Sequence, residues 1–203
     1  MHGYSDRVNH AFAFTAKHYL RRAPAAAGMG YLAHPSNTAV ILARYGVDET
    51  TLVAGILHHV LEEAARDAER AALERKIGQK FGPVVLAVAR EAMAPQPDEA
   101  GGWMAARHAL AAHVLSAEPR ALDILVADEI HLCGQSISTA RRLGPEYVLH
   151  AGRLAASEMM QGHRRVLEAL EGRDDWPRRP MLDEYRALTT ELLRALRAPE
   201  ADA

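Results

Sequence analysis

Apolar positions recur along this chain every three to four residues, with almost no strict alternation, so the pattern predicts helices throughout. Val8, Ala11, Phe12, Thr15, Ala16 and Tyr19 share one side of a first helix over residues 6–22. Pro24, Gly28 and Gly30 interrupt the pattern and predict a loop over residues 23–31. His34 precedes Pro35, a position that disfavours helical backbone, which places His34 at the mouth of the next helix. Pro35 suits the first turn of that helix and Gly46 stops it. Asp48 is suited to cap a central helix in which Leu52, Val53, Ile56, Leu57, Val60 and Leu61 surround a His58–His59 pair on most sides.

Beyond the His pair, residues 64–80 predict a charged, Ala-rich helix with Arg66, Asp67, Glu69 and Arg70 on its solvated face. Gly78 and Gly82–Pro83 predict breaks, and a further helix covers residues 84–94. The stretch 93–102, rich in Pro and Gly, reads as a surface linker, with a mobile cover as the alternative. Helices follow over 103–115 and over 120–142, the latter turning Leu122, Leu125, Val126, Ile130 and Ile137 inward. One long helix over 146–170, an exposed loop over 172–180 and a terminal helix over 183–196 complete the chain. The expected fold is all-α, a single helical domain over residues 1–203 without internal repeats.

Composition supports this reading and excludes several classes. Ala, Leu, Arg and Glu dominate, all strong helix formers, and only three Phe occur. A net charge of -2 gives no general pull toward a nucleic acid polymer or an anionic membrane. No run of eighteen apolar residues predicts a membrane span, and the N-terminus lacks a signal-peptide pattern. Cys133 is the only cysteine, so no intrachain disulfide forms and a cytoplasmic location is expected, with Cys133 as a small buried hydrophobe.

Candidate chemistry centres on the eleven His. His34, His58, His59 and Asp128 offer imidazole and carboxylate donors of the kind that hold borderline divalent metals, from three separate helices. Adjacent helical residues point about 100° apart, so both imidazoles border one cavity only if it lies between their directions. Glu62 stands one turn beyond His58, and Glu63 one turn beyond His59. Asp128 lies in an apolar stretch, where it is either a metal ligand or the structural partner of a cation. His131, one turn on, either supports Asp128 or is a satisfied core residue. His10 and His18 read as packing or surface residues, and His108 and His113 are poorly spaced as a ligand pair. Lys17, Arg21 and Arg22 are either a solvated face or phosphate contacts.

Three segments carry a resemblance. Tyr31-Leu-Ala-His-Pro35, the run from Ile41 to Asp48 and the run from Thr51 to Glu63 resemble the hydrolase region of bifunctional and small (p)ppGpp (alarmone) hydrolases. The run from Leu125 to His131 resembles that family's later segment with its metal-binding Asp. These proteins belong to the His-Asp (HD) superfamily of metal-dependent phosphohydrolases, and the resemblance covers about residues 12–144, leaving 145–198 as supporting helices. It implies that His34, His58, His59 and Asp128 hold a divalent cation, manganese in the family, and that Glu62 and Glu63 activate or position water. The implied partner is a small phosphorylated nucleotide, with a homodimer left open.

The departures are specific. His59 stands where the family has Asp, giving three His and one Asp, a set better suited to zinc, iron or nickel. The family's basic pair falls near Ala25–Ala26, so Arg21 and Arg22 would have to substitute from upstream. Glu129 replaces a usual Arg, Leu132 replaces a polar residue, and no synthetase-like region is recognisable. The expected function is metal-dependent hydrolysis of a small nucleotide phosphoester or diphosphate. The alternatives are a catalytically degenerate binding module and an HD-type metal oxygenase.

Overall fold

The computed structural model describes residues 4–22, 32–64, 67–95, 102–152 and 154–197. These form helices α1 (Asp6–Arg22), α2 (Ala33–Arg44), α3 (Glu49–Glu62), α4 (Asp67–Phe81), α5 (Pro83–Glu91), α6 (Gly102–Val114), α7 (Pro119–Leu143), α8 (Pro145–Gly152), α9 (Ala156–Glu171) and α10 (Arg179–Ala195). Among the described residues there is no strand, so the fold is all-α as the periodicity predicts. No described helix is long and apolar enough to cross a membrane. The predicted loop over 23–31 and most of the 93–102 linker lie outside the described residues.

The chain divides into two compact units, Met1–Met93 with Ala117–Ala127, and Ala94–Ser116 with Asp128–Ala203. In the first, α3 is the central element, and α1, α2, α4 and α5 all pack against it. Its sequence explains that position, because Val53, Ala54, Ile56, Leu57, Val60 and Leu61 are fully buried and leave no polar stripe for solvent. Asp48 caps it by accepting from the Thr51 amide at 2.8 Å. Gly55 brings the neighbours close: a Cβ there would stand 2.5 Å from Leu42 Cδ1 and 3.5 Å from Ile124 Cγ1. Thr15 of α1 donates to the Ile56 carbonyl at 3.3 Å and is itself fully buried.

In the second unit α9 packs on α6 and α10. Gly162 allows the first of these contacts, since a Cβ there would overlap the Trp103 ring and stand 2.7 Å from Arg107 Cγ. Met159, Val166 and Leu170 of α9, with Met181, Tyr185 and Leu192 of α10, supply buried apolar surface.

Four local expectations are corrected. His34 does not precede α2 but sits in its first turn, where amides need no partner within the helix and Pro35 is tolerated. Gly78 does not break α4, which continues to Phe81; the stop is Gly82, at φ +94, a backbone region that favours glycine. The expected helix over 146–170 is two helices, α8 and α9, because Ala155 is extended (ψ 152) and Glu158 reaches back to accept from its amide at 2.9 Å. Ala155 has no side-chain acceptor, so this is only half of a capping box. Finally, the 172–180 segment is not wholly exposed: Trp176 is 1% and Arg173 8% exposed. Arg173 donates to the Val114 carbonyl and clamps Asp175 through two bonds of 2.7 and 2.8 Å, which compensates the burial of its charge.

Candidate metal centre

His58 is fully buried on α3. Its Nδ1 lies 2.7 Å from the Gly55 carbonyl oxygen, which can only accept, so Nδ1 carries a hydrogen and a neutral ring keeps its lone pair on Nε2. His59 is half-buried beside it, with ring centroids 4.3 Å apart. His34 reaches His59 from α2 in an edge-on arrangement, centroids 3.9 Å apart at 83°. His59 Nδ1 lies 2.8 Å from Glu62 Oε2, and a carboxylate in that position fixes an imidazole's tautomer and orientation.

The helical spacing alone assigns Glu62 to His58 and Glu63 to His59. The structure pairs Glu62 with His59, three residues away, keeps it within 4.8 Å of a His58 ligand atom, and places Glu63 exposed at the C-terminal cap of α3. Glu62 and Glu63 are therefore in different environments.

Within the first unit, His58, His59 and Glu62 offer ligand atoms within 4.8 Å of one another and could hold a metal ion, with His34 against His59. Asp128 directly follows Ala127 in the unbroken α7, so the same helical turn that carries the buried Val126 and Ala127 presents it. Imidazole nitrogens with one or two carboxylates are donors that suit a borderline divalent cation, so the residues present fit such an ion.

The remaining candidates are more scattered. His131 is half-buried and Leu132 is 41% exposed. Lys17 is exposed on α1 and lines a groove against α4. Arg21 and Arg22 end α1, and their side chains lie outside the described structure. His10 stacks against Phe81 with centroids 5.0 Å apart, a packing role consistent with its expected one.

The sequence predicts a buried carboxylate at Asp128, but Asp128 is half-buried and its neighbour Glu129, 3% exposed, is the more deeply buried of the two. Glu129 accepts two bonds from Arg107, one of them at 2.8 Å, and a third from the Tyr185 hydroxyl at 2.8 Å. Because that hydroxyl donates to Glu129, it accepts from His163 Nδ1 at 2.9 Å, which places the His163 hydrogen on Nδ1. Burial pushes the Glu129 carboxyl up, but the Arg107 charge and the His163 bond outweigh it and hold the carboxyl well below the usual range. Burial, reinforced by the Glu129 charge, raises the Tyr185 hydroxyl and pushes Cys133 up to about 12, so Cys133 is an unreactive thiol as expected. The available signal was the charged Glu129 in the apolar run of α7, read as a departure from family and not as half of an ion pair.

Comparison with known proteins agrees with the helical scaffold. One curated relative, a probable GTP pyrophosphokinase of Mycobacterium leprae (strain TN), is 34% identical over 119 residues, 59% of this chain but only 14% of that much longer protein. The lmo0812 protein of Listeria monocytogenes EGD-e superposes with a TM-score of 0.64 at 20% identity, covering 80% of this chain and 99% of that one. A metazoan ortholog of SpoT, which hydrolyzes ppGpp, superposes with a TM-score of 0.64 at 17% identity, covering 97% of this chain and all (100%) of that one. At such identities the two superpositions speak for the fold. Residues 11–131, which carry α2, α3 and the Asp128 turn of α7, match the HD domain family, and the chain belongs to that family.

Proposed function

We propose that the chain is a divalent-metal-dependent phosphohydrolase acting on a small nucleotide phosphoester or diphosphate, of the kind represented by (p)ppGpp 3′-diphosphates. The observation that carries this reading is the cluster of His58, His59 and Glu62, with ligand atoms within 4.8 Å and His34 against His59, in an HD-domain chain. His34, His58, His59 and Asp128 would hold the ion. When bound, a divalent cation lowers the pKa of a coordinated water and shields charge on phosphate oxygens.

The chain's own residues have separable tasks. Gly55 fixes the His58 tautomer, and Glu62 fixes that of His59, so each presents a defined nitrogen. Asp128 would contribute an anionic ligand. Glu62 is also the carboxylate placed to orient a water or exchange its proton, whereas exposed Glu63 serves at most at the rim. His59 in place of an Asp removes one negative charge from the set, which favours zinc, iron or nickel over manganese.

The test is elemental analysis of gently purified protein, followed by assay with guanosine 3′-diphosphates under manganese, zinc and iron. Near-stoichiometric transition metal, lost in a folded His58→Ala variant, and phosphate or diphosphate release that follows metal loading are expected. No metal after reloading would sink the mechanism. Metal bound only by a His59→Asp variant would identify a scaffold that no longer performs the chemistry.

A further inference from the structure

A cavity of about 530 Å³ lies in the first unit between α1 and α4, which both pack on α3. Its floor is apolar, with buried Leu73 of α4 and half-buried Phe14 of α1. Its rim is cationic: Lys17 comes from α1, and Lys76 and Lys80 from α4. All three lysines are exposed, and among the described residues none of them makes an ion pair or hydrogen bond. Glu69 is the only carboxylate among the described lining residues.

This concentration is not a consequence of composition, because the whole chain carries a net charge of -2. Lys76 and Lys80 are four residues apart on one helical face, a like-charge spacing that destabilises a helix unless an anion lies between them. Lys17 adds a third charge from the opposite wall. The volume falls in the range of small-molecule sites, which are mainly apolar with a few placed polar groups.

We propose that this α1–α4 groove binds a phosphorylated small molecule of nucleotide size, as an anion site separate from the metal centre. The phosphates lie against Lys17, Lys76 and Lys80, and the flat body of the ligand covers Phe14 and Leu73. None of the metal-centre residues His34, His58, His59, Glu62 or Asp128 lines this groove, so the site does not depend on the hydrolase reading. Lys17, a candidate substrate contact by sequence, is assigned here to this second site.

The test is calorimetric titration of the full chain with ATP and, separately, with pyrophosphate, in low salt and excess EDTA so that the metal centre is silent. ATP is expected to bind the wild type, more tightly than pyrophosphate, with affinity falling as salt rises. Lys76→Gln/Lys80→Gln is expected to weaken ATP about tenfold or more, since two charge-assisted contacts are lost, while His59→Ala leaves it unchanged. Thermal melting of the lysine double variant checks the fold; an unchanged or raised midpoint is expected because a repulsion is relieved. Absence of ATP binding to the wild type, equal affinity in the lysine variant, or pyrophosphate binding as tight as ATP would each overturn the proposal.

Discussion

Arg107 and Glu129 provide the most stringent test of the energetics. Glu129 is 3% and Arg107 7% exposed, so neither charge is relieved by solvent. In Arg107→Met, the carboxylate keeps the Tyr185 hydroxyl at 2.8 Å and a contact with His163 Nδ1 at 3.4 Å, but loses its charge partner and two bonds. In Glu129→Met, the guanidinium is left buried over the Trp103 ring, 5.4 Å from its centroid. Removing one partner of a buried pair costs about 3–5 kcal/mol, whereas replacing both by apolar groups is often neutral. Each single variant should therefore lose about 3–5 kcal/mol, or roughly 6–20 °C in midpoint at this chain length, and the double variant less than the worse single. Both tryptophans of the chain, Trp103 and Trp176, lie in the second unit, so urea unfolding followed by tryptophan fluorescence reports on the unit that contains the pair. Single losses below about 1 kcal/mol, as for an exposed pair, or losses that add to within about 0.5 kcal/mol in the double variant, would refute the reasoning.

Gly162→Ala should destabilise: overpacking against Trp103 and Arg107 costs about 1–3 kcal/mol, which exceeds the roughly 1 kcal/mol gain in helix propensity. A raised urea midpoint would contradict it. Asp48→Ala should lower stability by about 1 kcal/mol at neutral pH through loss of the Thr51 amide bond, read by thermal melting. Partial burial raises the Asp48 carboxyl, but the Thr51 amide and hydroxyl and Arg120 outweigh it, so its folded pKa lies below the ordinary 3.8. Its contribution is therefore complete above that ordinary value and vanishes as pH falls through the folded pKa, where variant and wild type should converge; a gap that persists in acid would exclude this cause. Chelation should lower the melting midpoint of metal-loaded protein, because an ion held at 100 times its dissociation constant stabilises by about 2.7 kcal/mol; identical melts with and without EDTA would count against the metal centre.

Much of this molecule is legible from short-range pattern. Most of the helices, the Asp48 cap and the buried face around His58 follow from periodicity, Pro and Gly positions and capping chemistry, all properties of near neighbours in sequence. The reading failed where two local solutions were equally good. Spacings of three and four residues both place a carboxylate beside an imidazole, and only the packed helix decides that His59 pairs with Glu62. It failed again where a buried charged group finds partners far along the chain: Glu129 is paired with Arg107 and accepts from Tyr185, and Arg173 donates to the Val114 carbonyl. The sequence by itself determined an all-helical HD-domain chain with imidazoles on a buried helix, because local backbone preference and burial suffice for that. Only the tertiary structure decided which carboxylate pairs with His59 and whether Asp128 or Glu129 is buried more deeply, because adjacent helical side chains diverge by about 100° and their partners arrive from separate helices.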